Sequence, residues 1–238
     1  MIKNLIKYIP DFLYLKLKKI FITFKKYHSL NQLDMKMEKY LNYNNGYFIE
    51  LGANDGVSQS NTLFLERYKN WSGLLVEPIK SKFLECKKNR SMQNYIFNNA
   101  CVSFGYKKKF VKMIYLNLMT TCFDLENDIN LSKHIKANRK FLKNNEKTPH
   151  FYAKAITLNK LLKRSLAPKV IDFMSIDVEG TEIEVLKGID FSLYNFKYIL
   201  VESRNIKKIN TFFSKKNYIL KEKLSHHDYL YIYEEKII

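Results

Sequence analysis
The sequence predicts an α/β fold in which a mostly parallel sheet carries helices on both faces. Three features support this: short apolar runs alternate with amphipathic stretches, four runs end in an acid, and one passes directly into a glycine-bounded turn and a helix.

Tyr47, Phe48 and Ile49 form the first strand, because bulky β-prone residues in an unbroken run suit a sheet covered on both sides. Glu50 ends it. Gly52 and Gly56 then bracket a tight turn, and helical spacing resumes over 58–68. A dinucleotide fingerprint would need another glycine where Asn54 stands, and Glu50 and Asp55 flank the turn with negative charge, which disfavours a pyrophosphate. A ligand with a positive amine and a positive sulfur, such as S-adenosylmethionine, suits that turn better. An ordinary strand-to-helix connection also uses glycines in this way.

The next strand, 74–76, ends in Glu77 and is stopped by Pro78. Glu77 lies 27 residues after Glu50 (77 minus 50), one β-α-β step, where a carboxylate can accept both hydroxyls of a ribose. Trp71 reads as core. A helix over 81–88 leads to a third strand, 95–97, followed by Asn98, Asn99, Ala100 and Cys101, small and polar residues that suit the border of a flat adenine. Residues 104–105 and 110–113 suggest a hairpin.

From 116 to 151 the pattern degrades into Asn, Lys and Asp with scattered apolar residues, so this segment is assigned to the acceptor as a lid or binding insertion. His134 and His150 within it read as surface residues. A short helix within 156–162 precedes a strand over 170–176 that ends in Asp177-Val178-Glu179-Gly180, and a helix over 181–187 is closed by Gly188. Residues 198–202 form a further strand ending in Glu202, and 218–220 and 229–233 two late strands with His226, His227 and Asp228 between them. If the strands are parallel, Glu50, Glu77, Asp177 and Glu202 converge on one rim.

The chain of 238 residues is 46% hydrophobic, enough for one sizeable core, and its 7 Gly and 4 Pro leave no flexible linker. One α/β domain is expected over 44–238, preceded by a helical extension over 1–43. The extension opens with an amphipathic stretch, 1–27, rich in Lys and interrupted at Pro10, which either packs on protein, including a second copy of the chain, or lies in an anionic membrane interface. A polar helix over 31–41 follows it. The formal charge of +18 comes from 41 Lys and Arg against 23 Asp and Glu, but the lysines are scattered and Arg is sparse, which argues against nucleic acid and leaves an anionic glycan or lipid surface compatible. Cys86, Cys101 and Cys122 make no CxxC pair, which suits a reducing, cytoplasmic location, in contact with the inner face of the membrane if the first helix docks there. No metal is expected. Asp177 and Glu202 could hold a hard cation, yet no spacing is diagnostic of one.

With these residues in view, the chain resembles the FkbM family of S-adenosylmethionine-dependent methyltransferases. The matching blocks are 48–56 (FIELGANDG), Ser60-Asn61-Thr62, 71–78 (WSGLLVEP), 171–180 (IDFMSIDVEG) and 184–188 (EVLKG). The resemblance implies a Rossmann-like class I methyltransferase fold, with a seven-stranded sheet whose last strand is antiparallel. It also implies that Gly52, Ala53, Asn54, Gly56 and Asn61 cradle the methionine part of the donor, that Glu50 lies near its amino group, and that Glu77 and Pro78 take the ribose. Asn99, Ala100 and Cys101 would lie by the adenine. Asp177 would face the reacting end. A hydroxyl acceptor on a sugar or other small molecule is expected, with Asp177, Glu179 and His227 as candidate bases.

Overall fold
The computed structural model describes residues 25–142 and 150–234. The amphipathic stretch up to residue 24, with its expected protein or membrane contact, lies outside the described residues, as does 143–149 of the expected insertion. Among the described residues no helix is long and apolar enough to cross a membrane.

Along the chain the strands are β1 (Tyr47–Leu51), β2 (Ser72–Val76), β3 (Tyr95–Phe97), β4 (Ala100–Cys101), β5 (Phe110–Ile114) and β6 (Thr121–Cys122). Then come β7 (His150–Ile156), β8 (Val170–Ile176), β9 (Asn195–Glu202), β10 (Tyr218–Lys223) and β11 (Asp228–Tyr233). Seven of them form the main sheet, in the order β10-β11-β9-β8-β1-β2-β3. β1, β2, β3, β8 and β9 pair in parallel, whereas β11 runs antiparallel to both of its neighbours. This is the mostly parallel α/β sheet, its last strand reversed, that the sequence predicts.

The strands read as continuous apolar runs because both faces are covered, and alternate side chains go to opposite sides. Phe48, Leu75, Phe173 and Leu200 pack with Leu33 and Met37 of α1 (Leu33–Met37), Phe64 and Leu65 of α2 (Leu63–Lys69) and Cys86 of α3 (Lys80–Asn89). Their neighbours Ile49, Leu74, Met174 and Ile199 join the other core, with Leu161 of α5 (Leu158–Arg164), Val185 of α6 (Glu182–Leu186) and Phe213 of α7 (Ile206–Ser214). Trp71 is core as expected, 1% exposed, with its indole N–H donating to the Tyr43 carbonyl at 2.8 Å.

Several local expectations are corrected. The helix read over 58–68 begins only at Leu63, because Ser60, Asn61 and Thr62 are folded back onto Glu50. The polar helix over 31–41 shrinks to a 3-10 turn plus α1, and it is not polar throughout: Leu33, Met37 and Leu41 are buried. Gly188 does not close α6 by a left-handed cap; it is small because the Val102 carbonyl would lie 2.2 Å from an added Cβ. β7 and α7 have no counterpart in the sequence reading.

The hairpin expected after residue 104 is instead part of a second sheet, ordered β4-β7-β5-β6, in which β5 runs antiparallel to β6 and β7. The segment read as patternless over 116–151 contributes β6, α4 (Leu131–Asn138) and the start of β7 to this layer. Its inner face buries Val111, Met113, Cys122 and Ala153.

Candidate active site
A cavity of about 460 Å³ opens where the parallel strands end, between the main sheet and the smaller one. That size suits a nucleoside-bearing small molecule. Glu50, Glu77, Asp177 and Glu202 all line it, so the four strand-end acids do converge. Gly52, Ala53, Asn54, Asn61, Pro78, Asn99, Ala100, Cys101, Glu179 and His227 line it too. Gly56 does not; a Cβ there would meet the Arg90 side chain at 2.7 Å, so this glycine is required by a packing neighbour rather than by a ligand.

The turn after β1 is shaped by backbone geometry. Gly52 has φ +84, and an added Cβ would stand 1.9 Å from the Asp177 carbonyl, so two strand ends approach here as only glycine permits. Asn54 stands where a dinucleotide motif would have glycine; it adopts φ 47, a left-handed conformation that Asn tolerates. Its N–H donates to Glu77 Oε2 at 2.8 Å, and the Ile79 N–H donates to Oε1 at 2.7 Å. Burial pushes the Glu77 carboxyl up to about 7 despite these two donors. Each oxygen has a further lone pair, so the carboxylate could accept two ligand hydroxyls and would be held ionised by them.

Glu50 is a correction. Its carboxylate accepts the Ser60 and Thr62 hydroxyls and the Asn61 N–H, and it pairs with Arg90 Nη1 at 3.0 Å. Arg90 also donates to Glu66 at 2.7 Å, to the Gly56 carbonyl at 3.2 Å and to Thr62 Oγ1 at 2.9 Å, and its guanidinium lies 5.2 Å from the Phe48 ring centre. The Arg90 side chain is 0% exposed. Glu50 is therefore ion-paired within the protein, sharing Arg90 with Glu66, and its carboxylate has no lone pair left for a ligand amine. Arg90 went unread because a single Arg ending a helix has no local signal; only the buried acids across the turn explain it.

Asp177, Glu179 and Glu202 make a different group. Their carboxylate oxygens lie within 4.8 Å of one another. Burial, then the charge of Glu202 and a hydrogen bond to it, hold the Asp177 carboxyl well above the usual range. Burial and Glu202 push Glu179 up to about 8, against the Arg204 guanidinium at 3.7 Å. Carboxylates this close either share protons or take a cation, and hard oxygen donors in this number could hold a divalent metal. Buried Glu182 lies behind them, its Oε1 accepting from the Gly180 N–H at 2.9 Å.

His227 lines the cavity, its imidazole kept below its usual pKa by burial and by His226 and Arg204, with Glu202 opposing. His134 is not a surface residue. It is 4% exposed, donates from Nε2 to the Met119 carbonyl at 2.9 Å and accepts at Nδ1 from Asn138, so it orders the 117–120 wall of the cavity. That wall is stitched to the acids: Thr121 Oγ1 donates to the Glu179 carbonyl at 2.6 Å, the Asp128 N–H to the Gly180 carbonyl at 2.8 Å, and Lys208 holds Glu126 and Asp128.

Among solved structures, the chain is similar to M. capricolum TrmK in complex with the natural cofactor product S-adenosyl-homocysteine, at 15% identity and a TM-score of 0.41, covering 86% of this chain and 68% of that one. It is similar to protein PH1948 from Pyrococcus horikoshii at 10% identity and a TM-score of 0.42, covering 87% and 82%. A chain of a fibrillarin/Nop5p complex matches at 11% identity and a TM-score of 0.36, covering 80% and 73%. No curated protein matches. The family model described as the methyltransferase FkbM domain matches residues 50–231, most of the chain including every candidate site residue. The chain belongs to the FkbM family of methyltransferases, whose methyl donor is S-adenosylmethionine.

Proposed function
We propose that the protein methylates a hydroxyl on a sugar or cell-surface glycan, with the donor held between Glu77 and Asp177. The observation that carries this reading is the division of the cavity: a carboxylate suited to a ribose at one end, and a crowded proton-accepting group at the other. The residues present fit the donor. Gly52 supplies a close backbone approach, Glu77 two acceptor oxygens, and Ala100 and Cys101 a small-residue wall for the adenine. With Glu50 tied up by Arg90, the Asp177, Glu179 and Glu202 group is the acidic patch left to face a positive ligand.

The donor supplies an electrophilic methyl carbon on a sulfonium. The protein orients the acceptor oxygen in line with that carbon and keeps water away, which can supply much of the acceleration. A sugar hydroxyl is a poor acid and needs a base as the new bond forms. Asp177 is the first choice, because burial and Glu202 raise its proton affinity above that of an ordinary carboxylate. Glu179 and His227 stand next in line. Cys86, Cys101 and Cys122 are free and buried, which suits work in the cytoplasm, where the donor is made.

Two measurements test the reading. Calorimetric titration with S-adenosylhomocysteine should show saturable binding; well-folded protein that binds none removes the donor site. Mass spectrometry of surface glycans from cells with and without the gene should show a methyl-sized difference, and identical spectra would remove the glycan acceptor.

A further inference from the structure
The outer face of the smaller sheet carries a pattern that the donor site does not use. On β5 and β7, Lys112 stands opposite Tyr152, and Phe110 opposite Lys154. Phe123 extends the first row from the other side, its N–H donating to the Lys112 carbonyl at 2.8 Å. Rows of a sheet repeat about 7 Å apart along the strand and strands lie about 5 Å apart, so rings and ammonium groups alternate as on a chequerboard. The rings are open: Tyr152 is 67% exposed, Phe123 48% and Phe110 46%. Lys112 lies 4.9 Å from the Phe123 ring centre, while Lys108 is paired with Asp124 at 3.1 Å.

Isolated exposed aromatics need no explanation, but three on one short sheet face, interleaved with lysines, make a surface with two complementary demands on a partner. The partner must present flat, weakly polar faces to the rings and negative groups to the lysines. Single-stranded nucleic acid and acidic polysaccharide both do so. The face carries no Arg, the side chain that reads bases and stacks on them most readily, which favours the saccharide. The opposite face of the same strands, through Met113 and Cys122, lines the cavity, so the docking face and the cavity wall are the two sides of one small sheet.

We propose that this face docks an anionic polysaccharide chain whose hydroxyl is then methylated in the cavity. The proposal rests on the hydroxyl-acceptor reading above and narrows it to an acidic, polymeric glycan. Neither the rings nor the lysines touch the donor pocket, so docking and donor binding are separable.

The test uses the full chain, with oligogalacturonate as the acidic probe, neutral maltooligosaccharide and oligothymidylate as comparators, and S-adenosylhomocysteine titrated in parallel. Oligogalacturonate should bind, with an affinity that falls as salt rises. The paired change Phe110→Ala and Tyr152→Ala should weaken it about tenfold, equivalent to about 1.4 kcal/mol. Lys112→Gln with Lys154→Gln should flatten the salt dependence. S-adenosylhomocysteine should bind all variants as it binds the wild type, which also shows that they fold. Equal oligogalacturonate binding by the ring variant, or preference for maltooligosaccharide or oligothymidylate over oligogalacturonate, overturns the proposal while leaving the donor site intact. Loss of S-adenosylhomocysteine binding in the wild type would instead overturn the reading on which it rests.

Discussion

Glu50 and Asp177 end neighbouring strands of one sheet, and the sequence gives each the same look, an acid just before a turn. The structure gives them opposite electrostatics. Glu50 has its charge met by Arg90 and its lone pairs filled by Ser60, Asn61 and Thr62, whereas Asp177 has Glu202 and Glu179 for company and a raised proton affinity. A strand-end acid is therefore a structural anchor or a chemical tool according to what faces it from across the turn.

The largest effect should come from breaking the anchor. Arg90→Met leaves buried Glu50 and part-buried Glu66 without their cation and should destabilise the fold by about 3–5 kcal/mol, measured by urea unfolding. A loss under 1 kcal/mol would mean that Glu50 is not held as described. Next, Glu77→Ala should weaken S-adenosylhomocysteine binding by about tenfold to a hundredfold, the cost of two lost hydrogen bonds to a buried carboxylate, with the melting temperature little changed. Undiminished affinity in calorimetry would take Glu77 out of the donor site.

The tool should show itself through pH. Glu179 has its pKa raised to about 8 and Glu182 to about 7, both above the ordinary carboxylate value. A raised native pKa means that the folded state holds more protons than the unfolded one, so stability is full below the ordinary carboxylate value of 4.5, falls as pH rises from there, and levels off above about 7 to 8. Thermal melts in chelator-containing buffer should show the decline, and Glu179→Gln should reduce it; melts that stay flat across that range would mean that the acids are not crowded. Methyl transfer, needing the base ionised, should rise with pH, because crowding raises the proton affinity of Asp177 and Glu179 alike. The smallest effect is expected from Lys208→Met, which removes a partly exposed ion-pair partner of Glu126 and Asp128 and should cost about 1 kcal/mol or less. Its signature is a lower affinity for acceptor at unchanged affinity for donor, read from initial rates.

The parts of the fold that were legible in the sequence are those where local pattern and tertiary role coincide. Strands β1, β2, β8 and β9 are dominated by apolar residues that are buried on both faces toward their carboxyl ends, and each leads to a visible acid. The smaller sheet was harder to read: β4 and β6 are two residues each, and β7 alternates exposed and buried positions within a Lys- and Asn-rich stretch. At the site, convergence of the acids followed from strand direction alone. The fate of Glu50 did not, because Arg90 is forty positions away, at the far end of α3, and only folding brings the two together.

The contacts between the insertion and the acidic turn tie two walls of the cavity into one piece. Thr121 on the Glu179 carbonyl, Asp128 on the Gly180 carbonyl and the Asn127 side chain over Gly180 make one stitched unit of two segments far apart in sequence. Exchanging the 116–142 region alone would break these contacts and shift the acidic turn, so residues 177–182 should be transplanted with it, as a matched pair of cassettes rather than as one loop.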